Sequence, residues 1–173
     1  HAAMSYDPRS MSVVLFGGRT STTQGDTWLY RHGTLTSTFS QFGQGCAGSV
    51  GMPELAIADG MPVVGTPMKV ACTSLQPDHF TTMWMGFSRT NWSLGSLPYD
   101  LGAFGMTGCT LFVSGDIVVP LLNWNGVAVW HLSIPNAPQL LGLPFYLQAG
   151  VIDRVNELGM VVTNAAEARI GDQ

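Results

Sequence analysis

The chain is short of charge. Lys, Arg, Asp and Glu make up 10% of its 173 residues, against about 25% in an average soluble domain. Lysine occurs once, as Lys69, and the arginines are scattered rather than clustered. With a net charge of −4 and no basic stripe, the chain lacks the electrostatic footprint of a nucleic-acid binder. Long hydrophobic runs are missing as well. The mean hydropathy of +0.22 is spread over short runs, none near the ~18 unbroken apolar residues of a membrane helix. No membrane insertion is expected. Signal-peptide features are absent too, and the chain starts at His1, so it reads as a processed or excised piece of something longer.

Catalytic and metal-binding patterns are equally scarce. No Cys-x-x-Cys pair or His-x₃₋₅-His spacing offers a zinc set. Asp59, Asp116, Asp153 and Asp172 could lend oxygens to calcium, but no loop carries Asp at alternate positions. The histidines are His1, His32, His79 and His131. His131 follows Trp130 in a strand pattern and is expected to face solvent, while His79 follows Pro77-Asp78 in a turn. No Gly-x-Ser-x-Gly elbow positions a nucleophile. No close pair of strand-borne carboxylates invites glycosidase chemistry. The expectation is a protein that is not an enzyme and holds no metal or cofactor. Asn91-Trp92-Ser93 matches the glycosylation sequon.

What the sequence does have is glycine (21 residues), serine, threonine and short alternating apolar runs. The clearest stretch runs from Thr107 to Pro135. Asn125-Gly126 lies between Ile117, Val119, Leu121 on one side and Val127, Val129, Leu132 on the other. Asn-Gly between alternating hydrophobics is a strong hairpin signal, because both central residues of a type I′ turn need φ > 0. The expectation is a hairpin joining those two runs. Further strands are expected at 54–58, 63–64, 68–75, 80–87, 109–113, 145–152 and 159–168. Turn signals fall at roughly the 8–12-residue spacing of a sandwich or barrel. The one helix-like stretch, 151–158, fits a strand ending in a turn at least as well.

Three cysteines make an odd count. Cys46 and Cys109 both lie in glycine-flanked turns, whereas Cys72 sits inside the apolar run from Met68 to Leu75. In an oxidising compartment Cys46 would pair with Cys109, leaving Cys72 a buried thiol. The alternative is three reduced, buried cysteines in a cytosolic protein.

Residues 1–40 suggest four short strands, at 2–6, 13–16, 27–30 and 35–39. Asp7-Pro8, Gly17-Gly18, Gly25-Asp26 and His32-Gly33 mark the turns between them. His1-Ala2-Ala3-Met4 leads to Tyr6-Asp7. Val14-Leu15-Phe16-Gly17-Gly18 and Gly25-Asp26-Thr27-Trp28-Leu29-Tyr30 follow. In order and spacing this stretch resembles a kelch repeat, which implies one four-stranded propeller blade. Propellers have about four blades or more, and no second Gly-Gly…Gly-Asp-Thr-Trp appears downstream. A lone blade presents two apolar faces and two strand edges.

From Phe42 to Pro53 the chain is glycine-rich, and the boundary between a blade over 1–42 and a second domain over 43–173 is placed there. The second domain resembles the C-terminal domain of secreted planctomycete-type bacterial proteins. The residues concerned are Gly45-Cys46-Ala47-Gly48-Ser49, Gly108-Cys109-Thr110-Leu111, Val113-Ser114, Asn125-Gly126 and Ile134-Pro135-Asn136. Phe145-Tyr146-Leu147-Gln148-Ala149 and Thr163-Asn164-Ala165 complete it. The resemblance implies an exported β-sandwich, usually with the two turn cysteines. The fold class expected is therefore all-β, with one kelch-like blade packed on or linked to an antiparallel, jelly-roll-like sandwich.

Two functional classes survive. The first is an extracellular or cell-surface structural protein that self-associates into an oligomer or filament. Its assembly surface would be Met4, Tyr6, Val14, Phe16, Trp28 and Tyr30, joined through blade packing or strand addition. The second is a glycan-binding or adhesion module behind a kelch propeller, presenting Trp92, Trp124 and Trp130 to polysaccharide. Against it stands the ordinary role of such indoles, with Trp84 among them, in covering core ends.

Overall fold

The computed structural model describes residues 3–7, 12–19, 23–31 and 34–173. The fold is all-β, built from antiparallel sheets, and it divides between Thr34 and Leu35 into two compact units.

The first unit is a three-stranded meander, β1 (Ala3–Asp7), β2 (Ser12–Arg19) and β3 (Thr23–Arg31), in the order β1-β2-β3. Its strands form where β-branched and aromatic residues alternate, side chains that fit a pleated surface. Gly17, at φ 71°, takes a left-handed conformation that a branched residue would resist, and the register slips there between Phe16 and Gly18. The proposed turns at Asp7-Pro8 and His32-Gly33, and the His1-Ala2 start of the kelch pattern, involve residues outside the described ones. The kelch resemblance implied a fourth strand at 35–39. That strand forms slightly later, as β4 (Thr38–Phe42), and it pairs with the last strand of the second unit. The sheet of the first unit therefore has three strands, and the division falls at 34/35 instead of 42/43.

The second unit continues with β5 (Glu54–Asp59), β6 (Pro67–Thr73), β7 (Thr81–Gly86), β8 (Asn91–Trp92), β9 (Gly95–Ser96), β10 (Tyr99–Asp100) and β11 (Thr110–Leu111). It ends with β12 (Ile117–Leu121), β13 (Asn123–Trp124), β14 (Val127–Ser133), β15 (Pro144–Ile152) and β16 (Met160–Arg169). A five-stranded sheet, β12-β7-β15-β16-β4, faces a four-stranded sheet, β13-β14-β6-β5. Between them lies one apolar core. Leu55, Met68, Val70, Cys72 and Ala128 come from the smaller sheet, and Met83, Phe145, Leu147, Ala149 and Val151 from the larger. The segment 151–158 ends β15 and turns, and the described helical turns are the single 3₁₀ turns Leu101–Phe104 and Pro138–Leu140.

The Asn125-Gly126 turn forms as expected, with both residues at positive φ (50° and 83°). Glycine is required here twice over, since a Cβ on Gly126 would lie 2.9 Å from the Leu75 carbonyl oxygen. The long hairpin, however, does not form. Val127–Ser133 pairs across the turn with Asn123–Trp124 alone, then with β6. Ile117–Leu121 belongs to the opposite sheet, against β7. The chain changes sheet at Leu122. Pro120 gives the reason: lacking an N–H, it suits an edge strand and not the middle of a ladder.

Strands β15 and β16 are buried on both faces, because residues 87–113 lie as a third layer over the outer face of the larger sheet. A single amide docks that layer. Gln148, fully buried, accepts a hydrogen bond from Phe112 N (2.9 Å) and donates to Thr110 O and Thr163 O (2.9 Å each). A second amide joins the two sheets. Asn164 accepts from Leu55 N (2.7 Å) and donates to Leu55 O (3.1 Å), standing in for a strand neighbour where β15 and β16 slip register. The expected disulfide is present: Cys46, between β4 and β5, bonds Cys109, just ahead of β11. Cys72 is buried and unpaired, and burial pushes its thiol pKa up to about 12.

Replacing Gln148 by Ala leaves three backbone groups without partners and is expected to lower unfolding stability by about 3 kcal/mol or more, read by urea titration. Reducing the disulfide frees a loop with a sequence separation of 63. The expected loss is about 4 kcal/mol in the chain-entropy account, measured as the difference between titrations with and without reductant.

Candidate functional site

Strand register decides which side chains of the first unit share a surface. Met4 lies opposite Leu15, which lies opposite Trp28; Tyr6 lies opposite Val13, which lies opposite Tyr30. These two cross-strand rows occupy one face, on which Met4, Tyr6, Trp28 and Tyr30 are 53–71% exposed. The opposite face carries Ala3, Phe16 and Thr27 in one row and Ser5, Val14 and Leu29 in the next. Phe16 and Leu29 are more than half exposed there. The six residues expected to form one assembly surface thus divide into four on one face and two, Val14 and Phe16, on the other. The Trp28 indole donates to Asp26 Oδ2 at 2.7 Å, a bond that fixes the ring without burying it.

The three tryptophans expected to read glycan do not converge. Trp124, beside the Asn-Gly turn, is 83% exposed. Trp130 shares the inward face of β14 with Ala128 and packs half-buried against the core, while its neighbour His131 points to solvent. Trp92 is half-buried in the third layer, 5.3 Å from the Tyr99 ring.

Between that layer and the sheet beneath it lies an apolar cavity of about 380 Å³, open to solvent past Val118, Leu158 and Phe104. Trp84 forms part of its wall, lying so close to β15 that a Cβ on Gly150 would come within 2.7 Å of the indole. Glycine within a strand marks such close approaches. Trp92, Phe104, Leu111, Val118 and Met160 provide other parts of the wall. At the cavity edge, Ser114 Oγ donates to Asp116 Oδ2 (2.6 Å) and accepts from Phe87 N and Ser88 N. Phe87 N also donates to Asp116 Oδ2 at 2.8 Å. These bonds set the path of the chain into β8. No sequence pattern marked this cavity. The usable signal was three rings, Trp92, Tyr99 and Phe104, in a segment too irregular for a long strand and so obliged to cover a sheet face.

A small polar hollow is lined by Ser49, Gln76, His79 and Asp153. Ser49 donates to Asp153 Oδ2 through its backbone N (2.7 Å) and its hydroxyl (2.9 Å). His79 Nδ1 is turned to Pro77 O at 2.8 Å. The serine is thus hydrogen-bonded to the acid, an order unlike a nucleophile–base–acid relay. Among the described residues no three His, Cys, Asp or Glu side chains group to hold a metal ion. No described helix is long and apolar enough to cross a membrane.

Comparison with protein-family models, with curated proteins and with solved structures gives no match to this chain.

The Ser114 hydroxyl, followed by the Phe87 N–H, holds the Asp116 carboxyl below its ordinary pKa of 3.8. Because the folded-state value is the lower one, these bonds stabilise the fold above the ordinary carboxylate range. Their contribution is lost as pH falls through the lowered value. The effect is below about 1 kcal/mol at this exposed position. Asp116→Asn is expected to flatten that part of the acid limb below about pH 4, measured as unfolding stability against pH.

Proposed function

We propose that this is a non-catalytic extracellular structural protein that self-associates through its three-stranded sheet. The observation that carries the reading is a sheet apolar on both faces. One face presents Met4, Tyr6, Trp28 and Tyr30 to solvent, and the other presents Phe16 and Leu29. Contiguous exposed apolar surface of this kind marks an interaction site, and Trp and Tyr are the residues that most often dominate binding energy. The kelch resemblance supports the same conclusion, since a propeller blade is covered by neighbouring blades on both sides. A contact between unlike faces of two copies is heterologous and, unless it closes, extends into a filament. The chain also has a single lysine to guard its strand edges. The disulfide accords with an oxidising compartment outside the cytosol.

A second reading, an adhesion module that binds polysaccharide, rests on Trp124. Its exposed ring stands beside Asn125, whose backbone N–H donates to Asp78 Oδ1 at 3.3 Å. An aromatic face with polar neighbours suits the apolar face of a sugar ring.

Sedimentation and light scattering over a range of concentrations decide between them. Mass is expected to rise with concentration in the native chain. Trp28→Ser with Tyr30→Ser should weaken association by roughly 30-fold for each anchor of about 2 kcal/mol, leaving the second unit folded. A native chain that stays monomeric throughout overturns self-association. Loss of polysaccharide binding in Trp124→Ala would then support the adhesion reading.

A further inference from the structure

We propose that the cavity over the outer face of the five-stranded sheet is a binding site for a neutral, ring-bearing small molecule with one hydrogen-bond acceptor. The site is separate from the sheet surfaces invoked for self-association, and the proposal does not depend on that reading.

Size and lining come first. Ligand pockets run from about 300 to 1,000 Å³ and are mostly apolar with a few placed polar groups; this one measures about 380 Å³. An apolar cavity of about 150 Å³ already takes a benzene ring, so the space suits a molecule of roughly two fused rings. Trp84, Trp92 and Phe104 offer ring faces, Leu111 and Met160 add aliphatic wall, and the exposed Val118 stands at the mouth.

Charge and hydrogen bonding then narrow the ligand class. No Lys, Arg, Asp or Glu lines the cavity, and the Asp116 carboxylate stands at its edge beside Ser114. An anionic head group such as a fatty-acid carboxylate would meet no cation and a nearby negative charge. A sugar would leave most of its hydroxyls without partners, because the polar side chains in the wall are Ser93 and Ser114, and Ser114 Oγ is already engaged by Asp116.

One donor is unused. Trp92 Nε1 is shut off from solvent and has no hydrogen-bond partner, a costly state for a buried N–H. Trp92 sits in the two-residue strand β8, paired only with Gly95 in the short β9. With Trp92 in the cavity wall, an acceptor on the ligand completes this N–H.

The test uses prodan, a neutral naphthalene carrying one carbonyl, with 2-acetylnaphthalene and 2-ethylnaphthalene as competitors that differ in that carbonyl. Saturable, blue-shifted prodan emission at one site per chain is expected. Val118→Trp, on an edge strand, fills the cavity and should abolish that signal. The acetyl compound should compete about fivefold better than the ethyl compound, the worth of one hydrogen bond. It should also shift the Trp92 indole N–H resonance. In Trp92→Phe, which keeps a ring and removes the donor, the two competitors should become equal. Binding that survives Val118→Trp, or no saturable binding to the native chain, overturns the site. Equal competition in the native chain, or a preference that persists in Trp92→Phe, overturns the role of the indole.

Discussion

The buried amide of Gln148 is the constraint on which the second unit depends. A glutamine is taken wholly out of water only where its carbonyl and both N–H groups find partners. Here those partners are the backbone of Thr110 and Phe112 in the third layer, and of Thr163 in β16 within the sheet. The layer could not slide along the sheet without breaking the two bonds to Phe112 and Thr110, so the amide sets its register as a ladder would set a strand's. The disulfide ties the same layer to the segment leading into β5. Asn164 then joins that strand to β16. Three sheet layers are thereby indexed to one another by two side-chain amides and one covalent bond, while the apolar core between them supplies the bulk of the driving force without direction.

Much of this architecture was legible in the sequence, and the reasons for what was not are local. Period-2 alternation located the strands, because facing a core on one side leaves its mark on every second residue. The Asn-Gly turn and the glycine-flanked cysteine pair were readable for the same reason: each is a short-range requirement. Pairing is not short-range. The runs flanking Asn125-Gly126 looked like partners, yet they lie in opposite sheets, and Pro120 was the residue that could have placed β12 on an edge. Thr38–Phe42 looked like the close of a blade, but its partner, Ala165–Arg169, comes more than a hundred residues later in the chain. The cavity left the faintest trace, a glycine in β15 and a run of rings in an irregular segment.

The low charge of the chain acquires a meaning from these placements. The first unit spreads rings over both faces of a thin sheet, and few charges are available to keep such a surface solvated. The second unit keeps Trp124, Phe80 and Phe87 in water and holds an open apolar hollow beside Trp92.

Strand β4 enters the sandwich beside the strand that leaves it. Leu35 N donates to Asp172 Oδ1, and Ser37 N donates to Gln173 O. Thr38 lies opposite Arg169 at the same end of the antiparallel pair. Tension applied through Leu35 and Gln173 therefore acts at one end of β4 and β16 and draws them apart one hydrogen bond at a time, like a zipper. Pulled at opposite ends, the pair would resist in shear, with all its bonds loaded together. Held by these two points, the sandwich would yield progressively along that seam. The disulfide and the Gln148 amide, which lie outside it, would keep the remaining layers together.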